Sequence, residues 1–323
     1  MTSVLAPFSP VEADLEQLRQ NLTKLVGAQH PILATAAEHL FTAGGKRVRP
    51  ALVLLVARAT MPTGGLTERH RRLAEITEMI HTASLVHDDV IDRAEVRRGV
   101  PTVNADFGNR VAVLAGDFLF AQSSWYLANL DNLEVVKLLS QVIKDFAEGE
   151  LLQSMSHFDT SLSMEQYIHK SYYKTASLMA NSAKAAAVLS EAPTDVCLAM
   201  FTYGRSLGIS FQIIDDLLDF TGSVEALGKP IGSDLAQGNL TAPVLFAMEE
   251  NPHLHTLIES SWEYPGVLEE AVSLVQASSG LERSREMARD YAHTAAAALE
   301  ILAPSPSREA LLHLTDYMLK RIN

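Results

Sequence analysis

Apolar residues along most of this chain recur every three or four positions, the spacing that gathers them on one face of a helix. Val11, Leu15, Leu18, Leu22 and Leu25 form one such stripe, and Gly27 ends it. The same periodicity predicts helices over 50–59, 71–87, 111–127, 133–152, 165–189, 195–220 and 241–248, then a helical tail over 269–322. Thr194, before the run from Asp195, and Ser305, before Pro306, suit helix starts. The segment Val111 to Leu119 is apolar nearly all round, which predicts a central helix enclosed by others. No alternating run of Val, Ile and Thr bounded by turn residues occurs, so sheet is not expected. The expectation is an all-α chain, with residues 1–323 forming a single domain.

Two interruptions break this pattern. The first, over 93–108, holds Arg97, Arg98, Gly99 and Pro101; the second, over 221–239, sets Gly222, Gly228, Gly232 and Gly238 around Lys229. Connections of that length are uncommon inside a compact domain and often serve binding.

Composition narrows the function classes. With 323 residues, 47% hydrophobic and 20% charged, the chain can bury a sizeable core. A net charge of -13 argues against nucleic acid as the main partner, because a phosphate backbone calls for a basic surface. The single cysteine, Cys197, cannot form an internal disulfide and fits a reducing compartment. No apolar run approaches the ~20 residues of a membrane-spanning helix. Met1 to Pro10 lacks a basic segment followed by an apolar one, so no secretion signal is expected. An acidic cytoplasmic protein without a transmembrane segment is the resulting expectation.

One acidic pattern occurs twice. Asp88-Asp89-Val90-Ile91-Asp92 and Asp215-Asp216-Leu217-Leu218-Asp219 share the form D-D-x-x-D, each near the carboxyl end of an apolar helix and just before an interruption. Residues four apart share a helix face, so Asp88 lies over Asp92 and Asp215 over Asp219. The helix macrodipole is negative there, so three acids cost stability unless cations arrive. Hard oxygen ligands without nearby Cys or His suit magnesium completed by water and substrate phosphates. With 16 aspartates in the chain, one such pattern is expected by chance only about 0.04 times, so two signal function. Basic groups complement them: Gly44-Gly45-Lys46-Arg47-Val48-Arg49-Pro50, Arg97-Arg98, Lys174-Thr175 and Lys229. Arg and Lys beside magnesium-binding acids suggest a diphosphate held between metal and cations.

These motifs, with Phe211-Gln212-Ile213-Ile214-Asp215-Asp216, resemble those of the trans-type isoprenyl diphosphate synthases, in order and over nearly the whole chain. Within that family the chain is most similar to long-chain, solanesyl-type polyprenyl diphosphate synthases; His30 to Thr60 resembles their cyanobacterial and plastid branch. The resemblance implies an isoprenoid synthase-type bundle of antiparallel helices around a central active-site cavity, usually a homodimer. It implies that Asp88, Asp92 and Asp215 hold three magnesium ions, with Asp89, Asp216 and Asp219 in support. Lys46, Arg49, His81 and Arg98 match the isopentenyl diphosphate site, and Arg97, Lys174, Thr175, Gln212 and Lys229 the allylic diphosphate site. The implied reaction joins an allylic diphosphate to successive isopentenyl diphosphates, giving a long all-trans product for a quinone side chain.

Product length depends on what lies before the first motif. Ser84 is one turn before Asp88, and Thr77 lies two turns further down nearly the same stripe. Ala83, five residues before the motif, matches the position where short-chain relatives place a bulky floor. Small residues there leave a tunnel open, with Phe118, Phe120 or Trp125 on the next long helix as its stop; ordinary close helix packing is the plainer alternative. Rival functions are a shorter geranylgeranyl-type synthase, a class I terpene cyclase and a non-catalytic synthase subunit. A di-iron bundle would need two Glu-x-x-His pairs; Glu78 with His81 qualifies, whereas Glu250 with His253 encloses Pro252. Release of so hydrophobic a product would allow peripheral membrane contact, although no basic amphipathic helix demands it.

Overall fold

The apolar stripes fold as helices, and small residues decide which of them meet most closely. The computed structural model describes residues 7–27, 31–42, 47–61, 65–97, 99–222 and 230–320. By contacts the chain divides into one unit of Met1–Ile143, Asn181–Phe201 and Ile301–Leu311, and a second of Lys144–Ala180, Thr202–Glu300 and Leu312–Asn323. No helix among the described residues is long and apolar enough to cross a membrane.

The first unit begins with α1 (Glu12–Val26), α2 (Pro31–Thr42), α3 (Val48–Thr60) and α4 (Glu68–Ile91). The helix enclosed on all sides is α3, where every residue from Ala51 to Ala57 is buried. Thr67 caps α4 through a reciprocal box with His70, and Ser190 meets the other ring nitrogen of His70 at 3.1 Å. Beyond α4 an antiparallel ribbon pairs β1 (Val96–Arg97) with β2 (Val100–Pro101), next to Gly99 at φ 80°. Sheet was not expected; two residues per strand are too few to show alternation. The short α5 (Val103–Phe107) then leads into α6 (Asn109–Ala128).

In this chain α6 is not enclosed, contrary to the expectation from Val111 to Leu119. Ala112, Ala115, Gly116, Leu119, Ser123 and Leu127 form its buried face, whereas Val113, Leu114 and Trp125 are exposed. Two apolar faces read as one all-round apolar helix, and this chain covers only one of them. Where α4 meets α6, a Cβ on Gly116 would lie 2.3 Å from the His87 ring, so glycine sets that approach.

Helix α7 (Leu133–Met155) follows α6, and α8 (Met164–Ser171) opens a stretch expected as one helix over 165–189. A π turn over Tyr172–Ala176 interrupts it before α9 (Ser177–Leu189). Within the second unit, Gly204 and Gly208 of α10 (Thr194–Thr221) lie directly on backbone. Added Cβ atoms would come within 2.4 Å of the Met179 carbonyl oxygen and 2.6 Å of the Ala176 Cα. After the short α11 (Ser233–Ala236), the chain continues through α12 (Ala242–Glu250). The expected tail is several helices: α13 (Pro252–Glu259), α14 (Val267–Ala277), α15 (Gly280–Ala298) and α16 (Pro306–Leu319). Ser305 caps α16 as expected, accepting from the Arg308 N–H at 3.1 Å.

Candidate active site

Apolar neighbours fix the end of α4. Val86 and Val90 pack with Ala36, Val103, Ala112 and Ala115, which directs the intervening aspartates elsewhere. Asp89 is buried and accepts from Arg97 through Nε, 2.8 and 3.0 Å from its two oxygens, and through Nη2 at 2.8 Å. Its carbonyl accepts from the Ala94 N–H, while Thr102 Oγ1 and Asn104 Nδ2 both donate to the Ala94 carbonyl. Asp89 therefore ties the ribbon to α4. Asp88 is half-buried and Asp92, the C-terminal cap residue, is exposed.

Beside this motif lies a groove lined by His39, Arg47, Glu78, His81, Asp89 and Arg97 among others. Arg49 Nη1 is 3.1 Å from His81 Nε2; a guanidinium only donates, so that ring nitrogen accepts. His39 donates to the Pro101 carbonyl at 2.8 Å, joining α2 to the ribbon. The structure thus brings Arg49, His81 and Arg97 to the first motif's unit; Lys46, Arg98 and Lys229 lie outside the described residues.

In the second unit the other motif is embedded more deeply. Asp216 is buried and accepts from Tyr167 Oη at 2.5 Å and Gln212 Nε2 at 2.9 Å; Thr175 Oγ1 donates to Gln212 Oε1 at 2.7 Å. Burial above all, then the charge of Asp234, pushes the Asp216 carboxyl up to about 7. Asp219, also buried, accepts from Ser233 Oγ at 2.8 Å and the Asp234 N–H at 3.1 Å, fixing the start of α11. Asp215 is half-buried. Lys174, on the π turn, donates to Glu150 Oε2 at 3.2 Å and Gln153 Oε1 at 2.9 Å. Gly149 admits this turn, since a Cβ there would lie 2.9 Å from Tyr173 Cβ. A π turn at such a position is a common mark of a functional site.

Burial sorts the six acids. Asp89, Asp216 and Asp219 are buried and spent on protein donors, whereas Asp88, Asp92 and Asp215 retain exposure. Among the described residues no group of three or more His, Cys, Asp or Glu gathers as a ready metal site. Magnesium takes few protein carboxylates and completes its shell with water and phosphate, so the all-oxygen donors fit it. Sequence reading missed Tyr167, Glu150, Gln153 and Ser233, which hold Asp216, Lys174 and Asp219; only the three-residue spacing of Glu150 and Gln153 hinted at a shared face. Of the length-determining candidates, Ala83 is fully buried and the Ser84 hydroxyl donates to the His81 carbonyl at 2.9 Å. Phe120 is half-buried with its ring centroid 5.6 Å from that of His87, and Thr77 meets Ser182 Oγ at 3.2 Å. Trp125 instead lies on the outward face of α6. The di-iron alternative fails on its ligands: Glu78 pairs with Arg47, and Glu250 accepts from Ser279.

A model of the polyprenyl synthetase family matches residues 30–275. The chain is 64% identical over 323 residues to a prenyl transferase of Synechocystis, covering 100% of both. It is 55% identical over 324 residues to the chloroplastic solanesyl diphosphate synthase 1 of Arabidopsis thaliana, covering 99% of this chain and 80% of that one. The crystal structure of heptaprenyl diphosphate synthase from Staphylococcus aureus is similar with a TM-score of 0.93 at 32% identity, covering 97% of this chain and 99% of that one. The chain belongs to the polyprenyl synthetase family and is a trans-polyprenyl diphosphate synthase, an all-α prenyltransferase.

Asp216 should leave a mark on stability. Its folded carboxyl keeps a proton that the unfolded chain releases, so between 3.8 and about 7 its contribution to stability falls as pH rises. Denaturation of metal-free wild type and Asp216→Asn across that window should show the difference between them shrinking towards high pH. A constant difference would contradict the assigned environment.

Proposed function

We propose that this synthase makes a long, all-trans polyprenyl diphosphate of the solanesyl class for a quinone side chain, by adding isopentenyl diphosphates to an allylic primer. The similar relatives named for solanesyl and heptaprenyl products support the length, as do the small side chains of Ala83 and Ser84. The observation that carries the site assignment is the division of the six aspartates by burial, with Asp89, Asp216 and Asp219 buried and Asp88, Asp92 and Asp215 keeping some exposure.

Asp88, Asp92 and Asp215 are the residues that would hold magnesium, three ions with a bound diphosphate, which would supply positive charge to offset that growing on the leaving group. Lys174, Thr175, Gln212, Arg97 and Lys229 bind the allylic diphosphate. Glu150 and Gln153 hold Lys174 in place before substrate arrives, so little reorganisation accompanies bond breaking. The allylic C–O bond breaks with its electron pair on the departing diphosphate. Lys46, Arg49, His81 and Arg98 hold isopentenyl diphosphate so that its double bond attacks the allylic carbon. A proton then leaves the adduct for the released diphosphate, restoring a double bond. No side-chain nucleophile is needed.

We infer that the working form is a homodimer, with the outward stripe of Val113, Leu114 and Trp125 on α6 covered by a second copy. A cytoplasmic enzyme is the reading that the lone, unbridged Cys197 supports. Both units serve one catalytic domain, since each carries one motif.

Asp88→Ala and Asp215→Ala should each lower turnover about 10³-fold while far-ultraviolet circular dichroism keeps its helical signal. Near-normal condensation would refute the metal assignment, and failure to incorporate labelled isopentenyl diphosphate in the wild type would favour a cyclase. Chromatography of products from Ala83→Phe and Ser84→Phe should show shorter chains, and an unaltered length distribution would end the open-tunnel reading. A Leu114→Asp/Trp125→Arg variant should sediment as a monomer; persistence of the dimer would place its interface elsewhere.

A further inference from the structure

The scheme above leaves unused a buried ion pair in the first motif's unit. Glu78, on α4 three residues before His81, accepts from Arg47 Nη1, and the two side chains are only 7% and 13% exposed. One turn along the same helix, His81 meets Arg49. Two side chains of α4 thus grip two arginines that stand two residues apart at the start of α3. Arg47 immediately precedes α3 with φ 49°, in the left-handed region, and its carbonyl accepts from the Ala51 N–H at 3.1 Å. That backbone conformation is unfavourable for a residue with a side chain, so it needs an outside restraint. The ion pair with Glu78 supplies one.

We infer that Glu78, acting through Arg47, is a positioning residue for isopentenyl diphosphate. It fixes the turn that presents Arg49 to that substrate's diphosphate. The inference rests on the assignment of Arg49 and His81 to isopentenyl diphosphate made above. Both partners are largely desolvated, and separating them would strand a buried charge, so the pair persists through turnover instead of yielding Arg47 to phosphate. Glu78 and Arg47 then act as one unit whose loss is felt by one substrate and not by the other.

The test combines calorimetric binding of isopentenyl diphosphate alone to the full-length enzyme with KM values for both substrates. Glu78→Gln should weaken isopentenyl diphosphate binding and raise its KM about tenfold, while the allylic KM and the kcat at saturation stay within about twofold. Arg47→Met, at the helix edge, should reproduce the defect and remains informative if Glu78→Gln folds poorly. The double variant should be no weaker than either single one, because partners in one interaction are not additive. Arg47→Lys, which keeps the charge, should recover part of the binding. Normal isopentenyl diphosphate binding in Glu78→Gln, or equal shifts in both KM values, would overturn the inference. So would a loss in Arg47→Met that a folded Glu78→Gln does not share, since Arg47 would then contact the substrate itself. Arg49→Ala separates the two levels: if it binds isopentenyl diphosphate normally, the site assignment fails as well. If it binds weakly while Glu78→Gln is normal, only the positioning role falls.

Discussion

Negative charge concentrated at the carboxyl ends of two helices is the constraint to which the surrounding structure answers. A helix end already carries partial negative charge, and each of these adds three carboxylates. The protein offsets half of that load permanently, through Arg97 on Asp89, Tyr167 and Gln212 on Asp216, and Ser233 with the Asp234 N–H on Asp219. The other three, Asp88, Asp92 and Asp215, keep some exposure. Such an arrangement is costly by itself, and divalent cations with phosphate would offset the charge that remains.

The buried acids also set the geometry of the segments that follow them. Asp89 fastens the two-stranded ribbon, and Asp219 begins α11, so each connection leaves its motif from a fixed point. Asp216 works inward, through Gln212 to Thr175 on the π turn. Within each motif, therefore, neighbouring acids differ in burial, because positions one residue apart on a helix point in directions about 100° apart.

Much of this could be read before any coordinates. The helical stripes, the double aspartate pattern and the capping by Ser305 depend on neighbours within a turn or two, and all three emerged from spacing. The arrangement of partners did not. Asp216 and Tyr167 are 49 residues apart, and nothing local to either marks the other. The ribbon is too short for alternation to register, and α2 lacks any polar punctuation strong enough to announce it. The two-sided character of α6 was hidden because an exposed apolar face reads, along the sequence, the same as a buried one. The acid–histidine spacing of Glu78 and His81 was visible only as half of a rejected di-iron pattern, and the nearness of Arg47 gives Glu78 its partner.

The π turn carries a consequence of its own. Lys174 reaches α7 while the adjacent Thr175 reaches α10, and immediately afterwards Ala176, Met179 and Ala180 lie against Gly208 and Gly204. The widened turn sets the rotational phase of everything downstream of it. Losing one residue there would leave a continuous helix with unchanged composition, yet it would turn the alanine face off the glycines. The hydrogen bonds of Lys174 and Thr175 and the helix contact that follows are thus geared together.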